Sequence, residues 1–202
     1  MLEPRSALAA VYAPGRIGAI EVTAGVAVHE RLRRTLVQVS GWQDSFAALC
    51  RTLEATCGMA MPEGFARAVS ANERSVFRVA PERLWLAGAA TDAVLRCLDE
   101  AALGGQGVVT DIAASRTVIR VLGPNAGELL NRGLPVDLDL ARFPAESFAQ
   151  SAIDHMPVLV HRVSMDRGVA FDVYVTSDYA VSFWQWLTEA AQSFGCEIRN
   201  AE

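Results

Sequence analysis

The side chains that most often carry out acid–base or nucleophilic chemistry are few in this sequence. Its imidazole bases are His29, His155 and His161. A hydrolytic triad needs a nucleophile, a base and an orienting acid together, yet no serine lies in a G-x-S-x-G motif. The cysteines, which lack the surroundings of a nucleophile, are Cys50, Cys57, Cys97 and Cys196. Because they show no CxxC spacing, we expect these cysteines to be small buried residues. We predict no catalytic residue in this chain.

Metal and cofactor sites are not indicated either. His155 and His161 flank the start of a predicted strand, where a structural role is the favoured interpretation, and no HExxH motif, cysteine pair or aspartate-rich loop accompanies them. A dinucleotide site would need G-x-G-x-x-G between a strand and a helix. The stretch Gly104–Gly107 instead follows a predicted helix and precedes a strand. We therefore predict that this chain binds no metal and no cofactor itself.

Composition excludes further classes of function. All 18 basic residues are arginine, so lysine Schiff bases and phosphate-loop lysines are excluded. The net charge of −5 argues against nucleic acid as a partner. The basic cluster Arg31, Arg33 and Arg34 is either a solvated face or a salt-bridging contact, and we predict these three residues as interface candidates. No window resembles a membrane span or a signal peptide, so we expect a cytoplasmic protein.

The order of elements in the chain suggests an internal repeat. The segment TLVQVSG at Thr35–Gly41 aligns with TVIRVLG at Thr117–Gly123, and a short helix is predicted after each. The first half continues with further strands and a helix predicted over residues 92–103. The second half continues with strands, the first of them near Phe148–Ile153, and a closing helix. This order predicts an α+β fold of two related strand-helix-strand-strand-helix halves. We place the first half at residues 35–107 and the second at 108–202.

The first 34 residues keep no regular period. Residues 1–34 are rich in alanine, valine and glycine, and proline and glycine interrupt them repeatedly. An apolar segment that forms no element of its own must lie on another surface to avoid exposure. We therefore predict an extended N-terminal arm. Its supporting surface is either the rest of this chain or another subunit.

The closing helix, predicted over residues 178–194, carries one residue off its apolar face. Phe183, Trp186 and Leu187 follow the rows of that face. Trp184 points roughly 200° away from Trp186 around the helix axis. It either fills a second internal contact or anchors an interface, since tryptophan is enriched in interface anchors. We include Trp184 among the interface candidates.

Two motifs resemble those of a known family. SRTVIRVLGPNAGELLNRGLPVDLDLARFP, which begins at Ser115, looks like the central motif of the gamma subunit of heterotetrameric sarcosine oxidase, and SDYAVSFWQWLTEAAQSFG resembles that family's closing helix. The resemblance covers roughly residues 35–195. It implies a fold similar to the folate-binding domain of glycine-cleavage aminomethyltransferases, which agrees with the repeat.

The resemblance also implies a function. It points to a non-catalytic gamma subunit of a flavoprotein that oxidises sarcosine to glycine with O2, giving H2O2 and passing the methyl group to tetrahydrofolate or releasing formaldehyde. FAD, FMN, NAD, tetrahydrofolate and zinc are then expected in the alpha, beta and delta partner subunits. On this interpretation the chain stabilises the folate-side domain of the alpha subunit. Two alternatives remain: a gamma-like subunit of N-methylglutamate dehydrogenase, and a stand-alone folate-binding protein.

Overall fold

The computed structural model describes residues 6–18, 23–32, 34–89, 91–99 and 103–202. Within these ranges the strands, numbered along the chain, are β1 (Gly15–Ile17), β2 (Val26–Glu30), β3 (Arg34–Gly41), β4 (Val69–Ala71), β5 (Arg74–Ala80), β6 (Arg83–Ala89), β7 (Gly107–Asp111), β8 (Arg116–Leu122), β9 (Phe148–Ile153), β10 (Met156–Val163), β11 (Ala170–Thr176) and β12 (Cys196–Ile198). The α-helices there are α1 (Phe46–Cys57), α2 (Ala93–Arg96), α3 (Ala126–Asn131) and α4 (Ala180–Ala191).

The chain divides into two compact units. One is Arg33–Ala113, and the other combines Met1–Leu32 with Ala114–Glu202. The first unit contains a five-stranded sheet in the order β4-β5-β6-β3-β7, with antiparallel pairing throughout. Its core includes side chains of that sheet and of α1, which buries Phe46, Leu49 and Leu53 at helical spacing. The helix ends at Gly58, whose φ of 66° suits a left-handed C-terminal residue.

The second unit contains a seven-stranded sheet in the order β1-β12-β2-β8-β11-β10-β9. Its strand pairs are antiparallel except β12 with β2. Alternate residues of β8 and β11, such as Ile119, Val121, Phe171 and Val173, enter the same core as the buried face of α4. The other face of these strands carries the polar residues considered below. Within the described part of the chain, no helix is long and apolar enough to cross a membrane.

The predicted fold class is confirmed. Each unit contains the same order of strand, helix, three strands, helix and strand, from β3 to β7 and from β8 to β12. The aligned segments Thr35–Gly41 and Thr117–Gly123 fall on β3 and β8, which each begin one such series. In each sheet the three strands that follow the first helix lie in the same order beside this opening strand. The repeat in the sequence is therefore a repeat of topology.

The N-terminal residues differ from the predicted arm. Over its described residues the segment 1–34 supplies β1 and β2 to the seven-stranded sheet, where β2 lies between β12 and β8. Leu8 is fully buried in the core of the same unit. All five residues of β2 are buried, and a strand buried on both faces shows no alternation of polar and apolar residues. This explains why the sequence showed no period there.

Two further boundaries differ. The predicted division at residues 107 and 108 falls inside the five-stranded unit, because β7 pairs with β3 and the unit extends to Ala113. The helix predicted over residues 92–103 is shorter, since α2 ends at Arg96. By contrast, the closing helix matches its prediction, with one-turn 3₁₀ segments at both ends of α4 and a positive φ at Gly195.

Candidate functional site: a polar row across the seven-stranded sheet

The three histidines lie in different surroundings. His155 and Asp154 have φ values of 67° and 45° and form the two-residue turn between β9 and β10, where His155 is exposed. Two consecutive positive φ values are the signature of a type I′ hairpin turn. His29 on β2 and His161 on β10 are buried, with exposed fractions of 3% and 2%. The last two belong to one structural feature.

That feature is a row of polar side chains on four neighbouring strands. The strand register pairs His29 with Arg120, Arg120 with Asp172, and Asp172 with His161. Directly paired residues place their side chains on the same face of a sheet. We call these four residues the polar row. It runs across β2, β8, β11 and β10 on the face opposite the core that α4 covers.

The centre of the polar row is a buried ion pair. Arg120 donates from Nε to Asp172 Oδ1 at 2.6 Å and from a terminal nitrogen to Oδ2 at 2.7 Å. A terminal nitrogen of Arg31 lies 3.6 Å from the same Oδ2. Burial alone would raise the pKa of Asp172, but the hydrogen bonds and charge of Arg120, with the charge of Arg31, hold that pKa below its usual range. The pair is therefore ionised at neutral pH.

The two histidines at the ends of the polar row differ in their hydrogen bonding. His161 Nε2 lies 3.1 Å from Glu146 Oε2, and Glu146 Oε1 accepts a hydrogen bond from the Ser164 backbone N–H at 3.0 Å. Neither ring nitrogen of His29 has a hydrogen-bond partner among the described residues. Its Nε2 is 3.4 Å from Glu202 Oε2, which is an ionic contact only if the ring is protonated. Burial lowers the pKa of His29, so the ring is neutral at pH 7.

This arrangement limits the chemistry of the polar row. Both carboxylate oxygens of Asp172 accept hydrogen bonds from Arg120, and the residue is only 4% exposed. A general base must lie within hydrogen-bond reach of a substrate proton. The buried Asp172 and His161 instead bind groups of their own unit. In the described part of the chain, no group of three or more His, Cys, Asp or Glu side chains could hold a metal ion.

Trp184 does not lie at a surface. It is 2% exposed and stacks on Tyr12, with ring centroids 4.8 Å apart. The interface assigned to Trp184 from the sequence is therefore corrected to an internal contact. No sequence pattern indicates this pairing, because Tyr12 lies in a segment without a regular period and is far from Trp184 along the chain.

The N-terminal segment is held by polar contacts as well. Ser6 Oγ lies 2.8 and 2.6 Å from the two carboxylate oxygens of Glu30. The Tyr12 hydroxyl accepts from the Glu30 backbone N–H at 3.1 Å and donates to the Arg199 carbonyl at 2.7 Å. Glu30 is buried, and burial raises its pKa while the Ser6 hydrogen bond opposes that rise. These contacts fix the segment on its own unit.

The three arginines predicted as interface candidates have separate positions. Arg31 contacts Asp172 and is thus part of the internal charge network. Arg33 lies outside the described residues. Arg34 begins β3 in the five-stranded unit and lines a pocket there. Of the two described arginines, Arg34 is the one that lines a pocket.

Two units with the same strand and helix order define a duplicated α+β fold. The chain belongs to the GCVT N-terminal domain family, which it matches over residues 66–199.

Individual relatives agree with the predicted resemblance. The chain is 26% identical over 144 residues to sarcosine oxidase subunit gamma of Corynebacterium sp. strain U-96, covering 70% of this chain and 68% of the relative. It is 29% identical over 117 residues to the gamma subunit of Arthrobacter sp., covering 57% of this chain and 52% of that relative. The match thus spans about half the length of the Arthrobacter protein. The resemblance to the sarcosine oxidase gamma subunit family is confirmed.

Solved structures show the same fold. Heterotetrameric sarcosine oxidase from Corynebacterium sp. U-96 in complex with pyrrole 2-carboxylate matches with a TM-score of 0.79 and 24% identity, covering 94% of this chain and 95% of the matched chain. Aminomethyltransferase T of the glycine cleavage system from Bartonella henselae matches with a TM-score of 0.57 and 15% identity. That match covers 88% of this chain and 48% of the transferase. The likeness supports the predicted α+β class.

Proposed function

We propose that this chain is the gamma subunit of a heterotetrameric sarcosine oxidase and that its role in the complex is structural. The similarity to two gamma subunits and the match over nearly the whole chain to a subunit of a heterotetrameric sarcosine oxidase support the assignment. In this proposal the chain stabilises the folate-side domain of the alpha subunit.

The observation that carries the structural role is the burial and pairing of Asp172 and His161 in the polar row. Asp172 and His161 are the side chains best suited by type to acid–base work, and both are buried. Asp172 is bound by Arg120 through two hydrogen bonds, and His161 contacts Glu146. Groups engaged in this way link strands of one sheet and do not face a substrate. The polar row therefore serves the stability of the unit.

The chemistry of the complex is assigned to the partner subunits. They oxidise sarcosine to glycine with O2, produce H2O2, and pass the methyl group to tetrahydrofolate or release it as formaldehyde. FAD, FMN, NAD, tetrahydrofolate and zinc are held by the alpha, beta and delta subunits of a cytoplasmic complex. The polar row does not fit a pterin, because Asp172 and His161 are buried within their own unit.

Variants of the polar row test this role in the assembled complex. The chain is expressed with its three partner subunits, and sarcosine-dependent O2 uptake is measured per bound flavin. We expect Asp172→Asn and His161→Gln to lower the yield of complex while leaving kcat unchanged. A loss of kcat of about 100-fold or more in an intact complex is the effect expected for a removed general acid or base. That result would contradict the structural role.

The same preparation separates the alternatives. Turnover of N-methylglutamate in place of sarcosine would identify the related dehydrogenase complex. Saturable binding of tetrahydrofolate by the purified chain alone, measured by calorimetry, would identify a stand-alone folate-binding protein. The proposal requires sarcosine turnover by the complex and no such binding by the isolated chain.

A further inference from the structure

The five-stranded unit contains a pocket of about 480 Å³ that opens at the edge of its sheet. Its apolar lining comes from Val37 on β3, Leu95 on α2, Leu98 after α2, and Val109 on β7. Val37, Leu95 and Leu98 also belong to the core of this unit, and Val109 packs against that core. The pocket therefore lies on the face of the sheet that the helices cover, at a place that α2 does not cover among the residues that the structure describes.

The gap follows from the length of α2. In the order of elements, α2 of the five-stranded unit corresponds to α4 of the other unit. α4 has 12 residues and buries Phe183 and Leu187 against its own sheet. α2 has only four residues. One helical turn covers far less of a sheet than three, since each residue adds about 1.5 Å of helix length. The short helix leaves apolar side chains at an accessible pocket.

Charged side chains surround this apolar lining. Arg34, Arg96, Asp99 and Asp111 all line the pocket. Asp111 Oδ1 accepts a hydrogen bond from the Ala113 backbone N–H at 2.9 Å. The side chains of Arg34 and Arg96 make no hydrogen bond or ion pair with any residue that the structure describes. Arginine recognises carboxylates through paired hydrogen bonds. The two arginines are therefore suited to bind a carboxylate of a partner that places an apolar side chain against the lining.

The edge that carries the pocket also carries an exposed tryptophan. β7 is the outermost strand of the sheet, and it contributes Val109 and Asp111 to the pocket. Trp42, with an exposed fraction of 59%, directly follows Gly41, whose backbone pairs with Gly107 of β7. Trp42 follows the end of β3 opposite Arg34, so the pocket and Trp42 lie towards the two ends of one sheet edge. Exposed tryptophan and arginine are residues typical of interface anchor points. Small-molecule sites, in contrast, enclose most of their ligand, whereas this pocket is open.

We propose, on the premise that the chain is the gamma subunit described above, that this pocket and Trp42 form its docking site for a partner subunit. The partner inserts an apolar side chain between α2 and β7. A neighbouring aspartate or glutamate of the partner pairs with Arg34 and Arg96. The apolar lining supplies affinity, and the arginines fix the orientation of the inserted segment.

Charge reversal in the pocket tests the proposal. A tagged chain carrying Arg34→Glu and Arg96→Glu is expressed with the other three subunits, and their recovery is quantified by mass spectrometry. We expect recovery to fall about tenfold or more, as for loss of an interface anchor. Trp42→Ala, a change at an exposed residue, is expected to lower recovery independently. The matched control is Arg51→Glu on the exposed side of α1, which should leave recovery unchanged. Thermal unfolding verifies that each variant is folded.

Each other outcome overturns the docking site. Full recovery by the folded pocket variants would place the partner elsewhere on the chain. An equal loss in the Arg51→Glu control would indicate a nonspecific charge effect. If the purified chain dimerises and only the pocket variants are monomeric in sedimentation, the occupant is a second copy. If the unaltered chain recovers no flavoprotein subunits, the gamma-subunit assignment fails as well, which distinguishes that failure from failure of the pocket alone.

Discussion

Tyr12 lies against Trp184 in a stacked arrangement, with ring centroids 4.8 Å apart and ring planes inclined by 27°. This contact covers the side of α4 opposite Trp186 with a residue of the N-terminal segment. The tryptophan that the sequence offered as an interface anchor is therefore part of the unit's own core. The docking site proposed above therefore uses other residues, at the edge of the five-stranded unit.

Loss of the Tyr12 ring should destabilise the seven-stranded unit. Tyr12→Ala removes the stacking partner of Trp184 and the hydroxyl that bonds Glu30 and Arg199. Because Tyr12 is only partly buried, we expect a loss of about 2 to 3 kcal/mol in the free energy of unfolding. Tyr12→Phe keeps the ring and should cost about 1 kcal/mol. Urea titration followed by tryptophan fluorescence measures both, and equal losses would contradict a role for stacking.

The ion pair of Arg120 and Asp172 should show strong coupling. Asp172→Asn leaves the buried Arg120 without its charged partner and should cost about 3 to 5 kcal/mol. Replacing both residues, as Arg120→Met with Asp172→Leu, should cost clearly less than the sum of the single changes. Chemical unfolding of the two single variants and the double variant gives the coupling energy. Additive losses would show that the pair is not the central link of the polar row.

The pH dependence of the same pair has a defined sign. The pKa of Asp172 is lowered in the folded protein, chiefly by Arg120 against the opposing effect of burial. Its contribution to stability is therefore complete above the unfolded value of about 3.9 and is lost as pH falls through the folded pKa. Unfolding free energies measured between neutral pH and pH 3 should fall less steeply for Asp172→Asn. Parallel curves for the parent and the variant would contradict this assignment.

Glu30 should show the opposite dependence. Burial raises its folded pKa, so its contribution to stability is complete below the unfolded value of about 4.3 and is lost as pH rises through the folded pKa. Glu30→Gln should therefore lose less stability than the parent between pH 4 and pH 7. Ser6→Ala, which removes the opposing hydrogen bond, should lose more. If the free energy of unfolding changes equally with pH in the parent and both variants, Glu30 is not the source of this pH dependence.

Gly123 should be irreplaceable for two reasons that a control can separate. Its φ is 115°, and a Cβ atom there would lie 2.5 Å from the Gly25 carbonyl oxygen. Gly168 also has a positive φ, 83°, but a Cβ atom on Gly168 would meet no other atom within 4 Å. Strain alone should make Gly168→Ala cost about 1 kcal/mol, while strain and overlap together should make Gly123→Ala cost about 3 kcal/mol or more. Thermal unfolding compares the two, and equal costs would exclude the close approach.

The elements that the sequence predicted well are those with a clear period or end signal. The strand over Phe148–Ile153 and the closing helix around α4 were predicted close to their observed bounds. β2 was missed because burial on both faces removes the alternation on which strand prediction depends. The shortening of α2 was missed because apolar spacing continues beyond Arg96 although the helix ends there.

The polar row was outside the reach of sequence patterns. Arg120 and Asp172 are 52 positions apart, and their contact depends on which strands pair and in what register. One signal was available: each is a charged residue inside a largely apolar strand, with β-branched or aromatic neighbours on both sides. Opposite charges in such positions indicate that the two strands are neighbours. The stacking of Tyr12 on Trp184 had no comparable signal.

The composition of the purified assembly tests the central claim most directly. A tagged copy of this chain, expressed with the genes of its proposed partners, is isolated and measured by native mass spectrometry together with sarcosine-dependent O2 uptake. We predict a flavin-containing assembly of four different subunits that turns over sarcosine, and an isolated chain that does not. A stable monomer that oxidises sarcosine on its own would contradict the structural role assigned to this chain.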